Sequence, residues 1–292
     1  MVRVLTNDRV TANDYVIDKP VSSFDAYFAP WAVSRFLARS AEKTRHLVRS
    51  VAFAFAEDAV TYAELRNSVR HLADLNEISW SMAISWLLEA LDDASQVSNV
   101  DLRLIVSLTR EHFTLERAFA MLDAMRDHVG HPRLVGIDLT GDERLTVPRK
   151  SSRIFRQVKE ELGLGVTIHA GEIYGTADNV LWAIRDCSAD RVGHGLAAAT
   201  DARCLDTLLE AGTCVEVCLT SNLLTSSVRT LADHPVPLFV QTGIPIVLCS
   251  DNPGVHARSL SDEYHLLESL IPDTTILRQT RDAAFKYAFR RQ

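Results

Sequence analysis

Thr167-Ile168-His169-Ala170-Gly171-Glu172 and, one unit later, Arg191-Val192-Gly193-His194-Gly195 decide how this chain is read. Each is a short apolar run that ends on a histidine and passes at once into a glycine turn. Working outward from Val166–His169 and Arg191–His194, similar runs lie at Val60–Arg66, Leu102–Leu108, Leu134–Leu139, Val215–Cys218 and Ile244–Cys249. They are rich in Val and Ile and apolar almost throughout, as strands covered on both faces must be. The stretches between them have helical period and predict helices over Leu115–Met125, Ser152–Leu162, Asn179–Asp186 and Ala202–Leu209, with Gly163 and Gly212 as C-terminal stops. Regular β-α alternation without a break in composition predicts a parallel sheet in one domain spanning residues 1–292.

Seven runs are one short of the eight that close a (β/α)8 barrel, and an open doubly wound sheet is the alternative. The reactive side chains favour the barrel. His169, His194 and Asp251 follow the C-terminal ends of three late strands, and Arg66 and Asp138 close two earlier runs. An active barrel face needs such groups at the ends of several different strands. Before Pro20 only Val2–Leu5 offers a weak strand candidate, and helical segments follow around Phe24–Ala38 and Glu42–Ala56. The expected fold is therefore α/β, a (β/α)8 TIM-type barrel that is incomplete, with its first strand missing or replaced. A missing strand would expose two sheet edges. Either Val2–Leu5 or a second subunit of a homo-oligomer is expected to cover them.

Composition narrows the partners. Of 292 residues, 31 are Lys or Arg and 38 Asp or Glu, a net charge of −7, which speaks against a general nucleic-acid or membrane-surface binder. No run of apolar residues is long enough to span a bilayer, and the first residues lack the apolar core of a signal peptide. The expectation is a soluble, cytoplasmic protein with a small-molecule substrate. Its cysteines, Cys187, Cys204, Cys214, Cys218 and Cys249, are odd in number and form no C-x-x-C pair. They read as buried reduced thiols, with a thiolate metal site as the alternative. Trp80, Met82 and Trp86 recur at helical spacing and read as core or subunit packing.

Histidine is the commonest metal ligand, and a Glu three residues beyond His169 is placed to act as a general acid or base. Glycine on both sides of His194 is expected to leave that imidazole exposed. Cys249-Ser250-Asp251-Asn252-Pro253-Gly254 then ends the last strand on a carboxylate. His, Glu, His and Asp in this order point to a metal hydrolase.

The chain resembles the adenosine deaminase family of purine aminohydrolases. The likeness runs from Asp18 to Tyr264 through Tyr62 to Arg66, Val135 to Glu143, Thr167 to Glu172, Arg191 to Gly195, Cys218 to Asn222 and Ser250 to Gly254. It implies that His169 and Asp251 are Zn2+ ligands and that Glu172 protonates the purine ring nitrogen. His194 would steer the attacking hydroxide, Asp251 would also orient it, Gly141 would bind the base through its N–H, and Asn252 would meet the imidazole half. The implied activity is zinc-dependent hydrolytic deamination of adenosine or a related 6-aminopurine.

Departures from the family pattern keep alternatives open. The family's first strand carries His-x-His, two further zinc ligands, whereas no His precedes His46 here. Asn252 stands where the family usually has Asp, and Leu219 where it usually has Pro. His71 and His112 follow their strands toward the correct face. His128 and His131 precede a strand and belong to the opposite one. His256 is expected at the entrance, and His46, His234 and His265 read as partly exposed. The competing functions are a metal-poor, catalytically impaired purine-nucleoside-binding homologue and a metal-independent reaction on another heterocycle.

Overall fold

All seven expected strands form, and they run parallel in chain order: β1 Tyr62–Asn67, β2 Asp101–Thr109, β3 Leu134–Thr140, β4 Gly165–Ala170, β5 Arg191–His194, β6 Cys214–Val217 and β7 Ile246–Leu248. The computed structural model describes residues 15–22, 24–31 and 36–289. The candidate strand Val2–Leu5 lies outside them, as do residues 32–35 of the helical segment expected around Phe24–Ala38.

The helices, in chain order, are α1 Phe24–Tyr27, α2 Ala41–Glu57, α3 Val69–Asn76, α4 Trp80–Ser98, α5 Leu115–Arg126, α6 Ser152–Leu162, α7 Ala177–Arg185, α8 Ala202–Ala211, α9 Leu219–Leu224, α10 Val236–Thr242, α11 Pro253–His256, α12 Leu260–Leu270 and α13 Thr274–Lys286. Their limits have local causes. Ser79 caps α4 by accepting from the Met82 N–H, and Thr114 caps α5 in the same way through Arg117. Gly163 and Gly212 end α6 and α8 in the left-handed conformation that glycine adopts without a Cβ penalty.

The sheet is curled. Neighbouring strands lie about 4.8 Å apart, so β1 and β6 would be about 24 Å apart in a flat sheet. Yet Arg66 on β1 pairs with Glu216 on β6, and Glu64 on β1 with Arg191 on β5 at 2.6 Å. These side chains meet across a barrel interior. The structure is thus an incomplete barrel, seven strands among the described residues, with β1 and β7 at its edges. Apolar side chains such as Val106, Ile137, Ile168 and Val192 are buried in a core shared with α4, α5 and α6. At the lower mouth Phe289 donates its N–H to Glu64 and lies 3.6 Å beneath the Arg191 guanidinium.

At the upper mouth, the segment around α1 lies over the strand ends. Ile17 donates its N–H to Val255 and Val21 to Leu224, each at 2.9 Å. Ile17, Tyr27, Leu224 and Val255 form a small apolar cluster of their own there. No helix among the described residues is long and apolar enough to cross a membrane.

Candidate active site

The C-terminal ends of β4 and β5 bring His169 and His194 together, with ring centroids 5.1 Å apart and nearly edge to face. Gly193 makes this possible: a Cβ there would sit 3.3 Å from the Cα and ring of His169. The glycines do not expose His194, contrary to expectation. The imidazole is buried, at 2% exposure, because the neighbouring strands and turns close over it.

Glu172 reaches the same point from the loop after β4, its Oε2 lying 3.8 Å from His194 Nε2. Glu143 holds that loop: its carboxylate accepts from the N–H groups of Gly171, Glu172 and Ile173 and from the Asn179 side chain. Burial pushes the Glu172 carboxyl up, the nearby histidines only partly opposing it, and Asp251 adds to the rise. Asp251 is the opposite case. Burial disfavours its charge, but His194, His256 and a 2.6 Å hydrogen bond from Ser221 hold it below the usual carboxylate range. One buried carboxyl pushed toward its neutral form near another held toward its charged form suits an acid-base division of labour.

His194 and Asp251 also have positive φ, 64° and 51°. Such backbone is costly for residues other than glycine and gathers at functional sites. His169 is anchored from below. Its Nδ1 lies 3.0 Å from Asp138, which Arg66 grips at 2.6 Å. Burial would lower the His169 imidazolium, but Asp138 outweighs it and raises it to about 9. With Nδ1 committed to Asp138, Nε2 is the atom left to bind elsewhere.

Asn252 enters indirectly, donating to the Tyr27 hydroxyl at 3.2 Å, which also meets His256 Nε2 at 2.8 Å. Gly141, just past β3, meets the Glu111 carboxylate. His256 is buried in this Tyr27 contact, not placed at an entrance, and His234 is buried rather than partly exposed. His128 bonds Ser81 and His131 pairs with Asp92 at 3.2 Å, before β3 as expected. The cysteines are free thiols, buried apart from the half-buried Cys249. The residues that sequence reasoning left without roles are Asp138, Glu143, Ser221, Asn222, His234 and Tyr27. Four of them stood inside quoted motifs, but their partners lie far away in sequence.

The adenosine deaminase family model matches residues 6–290. The chain belongs to the adenosine deaminase family. Over 222 residues it is 34% identical to an adenosine deaminase of Erwinia tasmaniensis, a match covering 75% of this chain and 65% of that relative. The chain thus spans just under two thirds of that relative's length. Among solved structures it is similar to the Arabidopsis N6-mAMP deaminase MAPDA, with TM-score 0.85, 25% identity, and coverage of 100% of this chain and 88% of that one. It is equally similar to Arabidopsis ADAL complexed with IMP, with TM-score 0.84, 25% identity and coverage of 99% and 86%.

Zinc is the ion that this family implies. His169 Nε2 and Asp251 are donors of the type it takes, but catalytic zinc takes three protein ligands. Among the described residues no group of three or more His, Cys, Asp or Glu is placed to hold a metal, and His71 and His112 supply none. These residues by themselves do not make a zinc site.

Proposed function

We propose that the chain acts as a hydrolytic deaminase of adenosine or a related 6-aminopurine. The observation that carries the reading is the 3.8 Å approach of Glu172, whose carboxyl burial pushes up, to His194, with Asp251, which the histidines and Ser221 hold down, in the same site. Glu172 donates its proton to the ring nitrogen next to the carbon under attack, so the ring does not have to carry a negative charge. Asp251 orients the attacking water and accepts its proton. His194 donates a hydrogen bond to the developing oxyanion, a role that a fixed dipole performs without reorganising. Asp251 passes the proton it took from water to the exocyclic amine, the carbon–nitrogen bond breaks and ammonia leaves, while the hydroxyl left on that carbon returns its proton to Glu172 and becomes the carbonyl oxygen of the product. Gly141 and Asn252 are placed here as contacts to the base. Family membership and the likeness to deaminases of nucleosides and nucleotides support this reading.

Zinc dependence is part of the proposal and requires donors beyond His169 and Asp251: a zinc so held would lower the pKa of water to about 7. His169 and Asp251 are its proposed ligands here. Purified protein supplied with zinc is expected to release ammonia from adenosine or AMP, or methylamine from N6-methyl-AMP. No turnover across such a panel overturns the reading.

A second reading, a purine-binding homologue without turnover, draws on the lack of a three-donor group among the described residues. It calls for thermal stabilisation by nucleosides with neither turnover nor stoichiometric zinc. Turnover that survives chelators would instead mark a metal-independent use of Glu172 and His194.

A further inference from the structure

Behind His194 lies a chain of buried polar groups that the reaction does not touch. His194 Nδ1 is 3.1 Å from the Asn222 side-chain nitrogen, and the Asn222 oxygen is 3.2 Å from His234 Nε2. The chain ends where the Val236 N–H meets His234 Nδ1 at 3.1 Å. Asn222 is fully buried, and His234 is 3% exposed.

The backbone end sets the direction of every link. An amide N–H can only donate, so His234 Nδ1 must accept and the ring's proton sits on Nε2. That proton then needs an acceptor, which orients the Asn222 amide with its oxygen toward His234 and its NH2 toward His194. His194 Nδ1 in turn must accept, which leaves its own proton on Nε2, the nitrogen that faces Glu172. Pro235 contributes by omission. It carries no N–H, so Val236 at the start of α10 is the first donor able to turn back onto the His234 ring. Burial also holds the His234 imidazolium down to about 4, which keeps Nδ1 available as an acceptor at neutral pH.

We propose that Asn222 and His234 are positioning residues that fix His194 in the form protonated on Nε2, so that it presents a donor to the reacting oxygen. The importance of that donor rests on the deaminase reading above, while the tautomer itself does not. Reversal of the relay would present a lone pair where the oxyanion needs a hydrogen bond.

The test is long-range 1H–15N NMR of the full chain labelled at histidine, with peaks assigned by His194→Gln and His234→Gln. The unmodified protein should show both rings protonated on Nε2 at pH 7. Asn222→Asp keeps the shape and still accepts from His234, but it presents only an acceptor to His194. It should place a proton on His194 Nδ1 and lower kcat on the order of tenfold or more with little change in KM. Should that variant fail to fold, His234→Leu and His234→Gln separate the cases. The leucine releases the amide and should give a mixture of His194 tautomers, whereas the glutamine amide still donates to Asn222 and should preserve the single form. A His194 protonated on Nδ1 in the unmodified protein, or a tautomer indifferent to these substitutions, overturns the proposal. The expected tautomer without any turnover would refute the deaminase reading and leave the relay standing.

Discussion

In the proposed reaction Glu172 is the proton donor, and its environment makes the expectation specific. Glu172→Gln keeps the shape and the Glu143 anchor but removes the transferable proton. Steady-state assays should show kcat down by about 10² to 10⁴ with the urea midpoint little changed. Two other buried groups tilt stability with pH in opposite senses. His234 falls from its ordinary 6.5 to about 4, so between those values the unfolded chain binds more protons and stability rises with pH. Burial raises Glu263 from 4.5 to about 7, so across that interval the folded chain holds more protons and stability falls with pH. The two slopes oppose each other from pH 4.5 to 6.5. Removing Glu263 with E263Q should therefore leave the His234 slope uncovered, and the urea midpoint should climb from pH 5 to pH 6.5 more steeply than in the unmodified protein. Equal profiles would show that Glu263 ionises alike in both states.

At the scale of elements, the loop after β4 depends on one buried carboxylate. Glu143 is 4% exposed and accepts from three backbone N–H groups and Asn179. Glu143→Ala leaves those donors unsatisfied at about 1 to 3 kcal/mol for each one that stays buried. Both stability and kcat should fall, because Glu172 loses its backbone anchor. Unchanged turnover with a lower melting temperature would confine Glu143 to stability. Several elements were legible in the sequence for plain reasons. Arg191–His194 was read to the residue because Gly195 stops the run, and Ser152–Leu162 because Gly163 does. Ile244–Cys249 was read too long, since its apolar character continues past the ladder of Ile246–Leu248. The helices Leu260–Leu270 and Thr274–Lys286 went unread, although Ser259 and Asp262 form a capping box that announces the first of them. His169 and His194 were legible because each closes a run, and Glu172 and Asp251 because each lies in the turn just after one. The Tyr27–His256 contact was not, because only the segment laid over the strand ends brings those positions together, and the Asn222–His234 contact was not, because the irregular stretch between α9 and α10 that folds one onto the other has no periodic signal.

Across the whole molecule, that curl is maintained by charges as well as by the apolar core. Glu216 on β6 accepts from Arg66 and, at 3.0 Å, from Thr167, and it pairs with Arg191 at 2.8 Å. Burial opposes its charge, yet the two arginines hold it below the usual carboxylate range. Asp138 extends the network from Arg66 to His169, so the floor of the barrel and the site above it are one connected set of charges. Glu216→Leu would leave the buried Arg191 and the half-buried Arg66 short of a counter-charge, a loss of about 3 to 5 kcal/mol when one partner of a buried pair is removed. Equilibrium urea unfolding should register it as a lower midpoint. The damage should also reach the site: with Glu216 gone, Arg66 is free to draw Asp138 away from His169, and turnover measured well below the unfolding transition should fall as well. A variant of normal stability would show that the apolar core alone holds the curl. A destabilised variant with full turnover would show that the floor and the site are uncoupled.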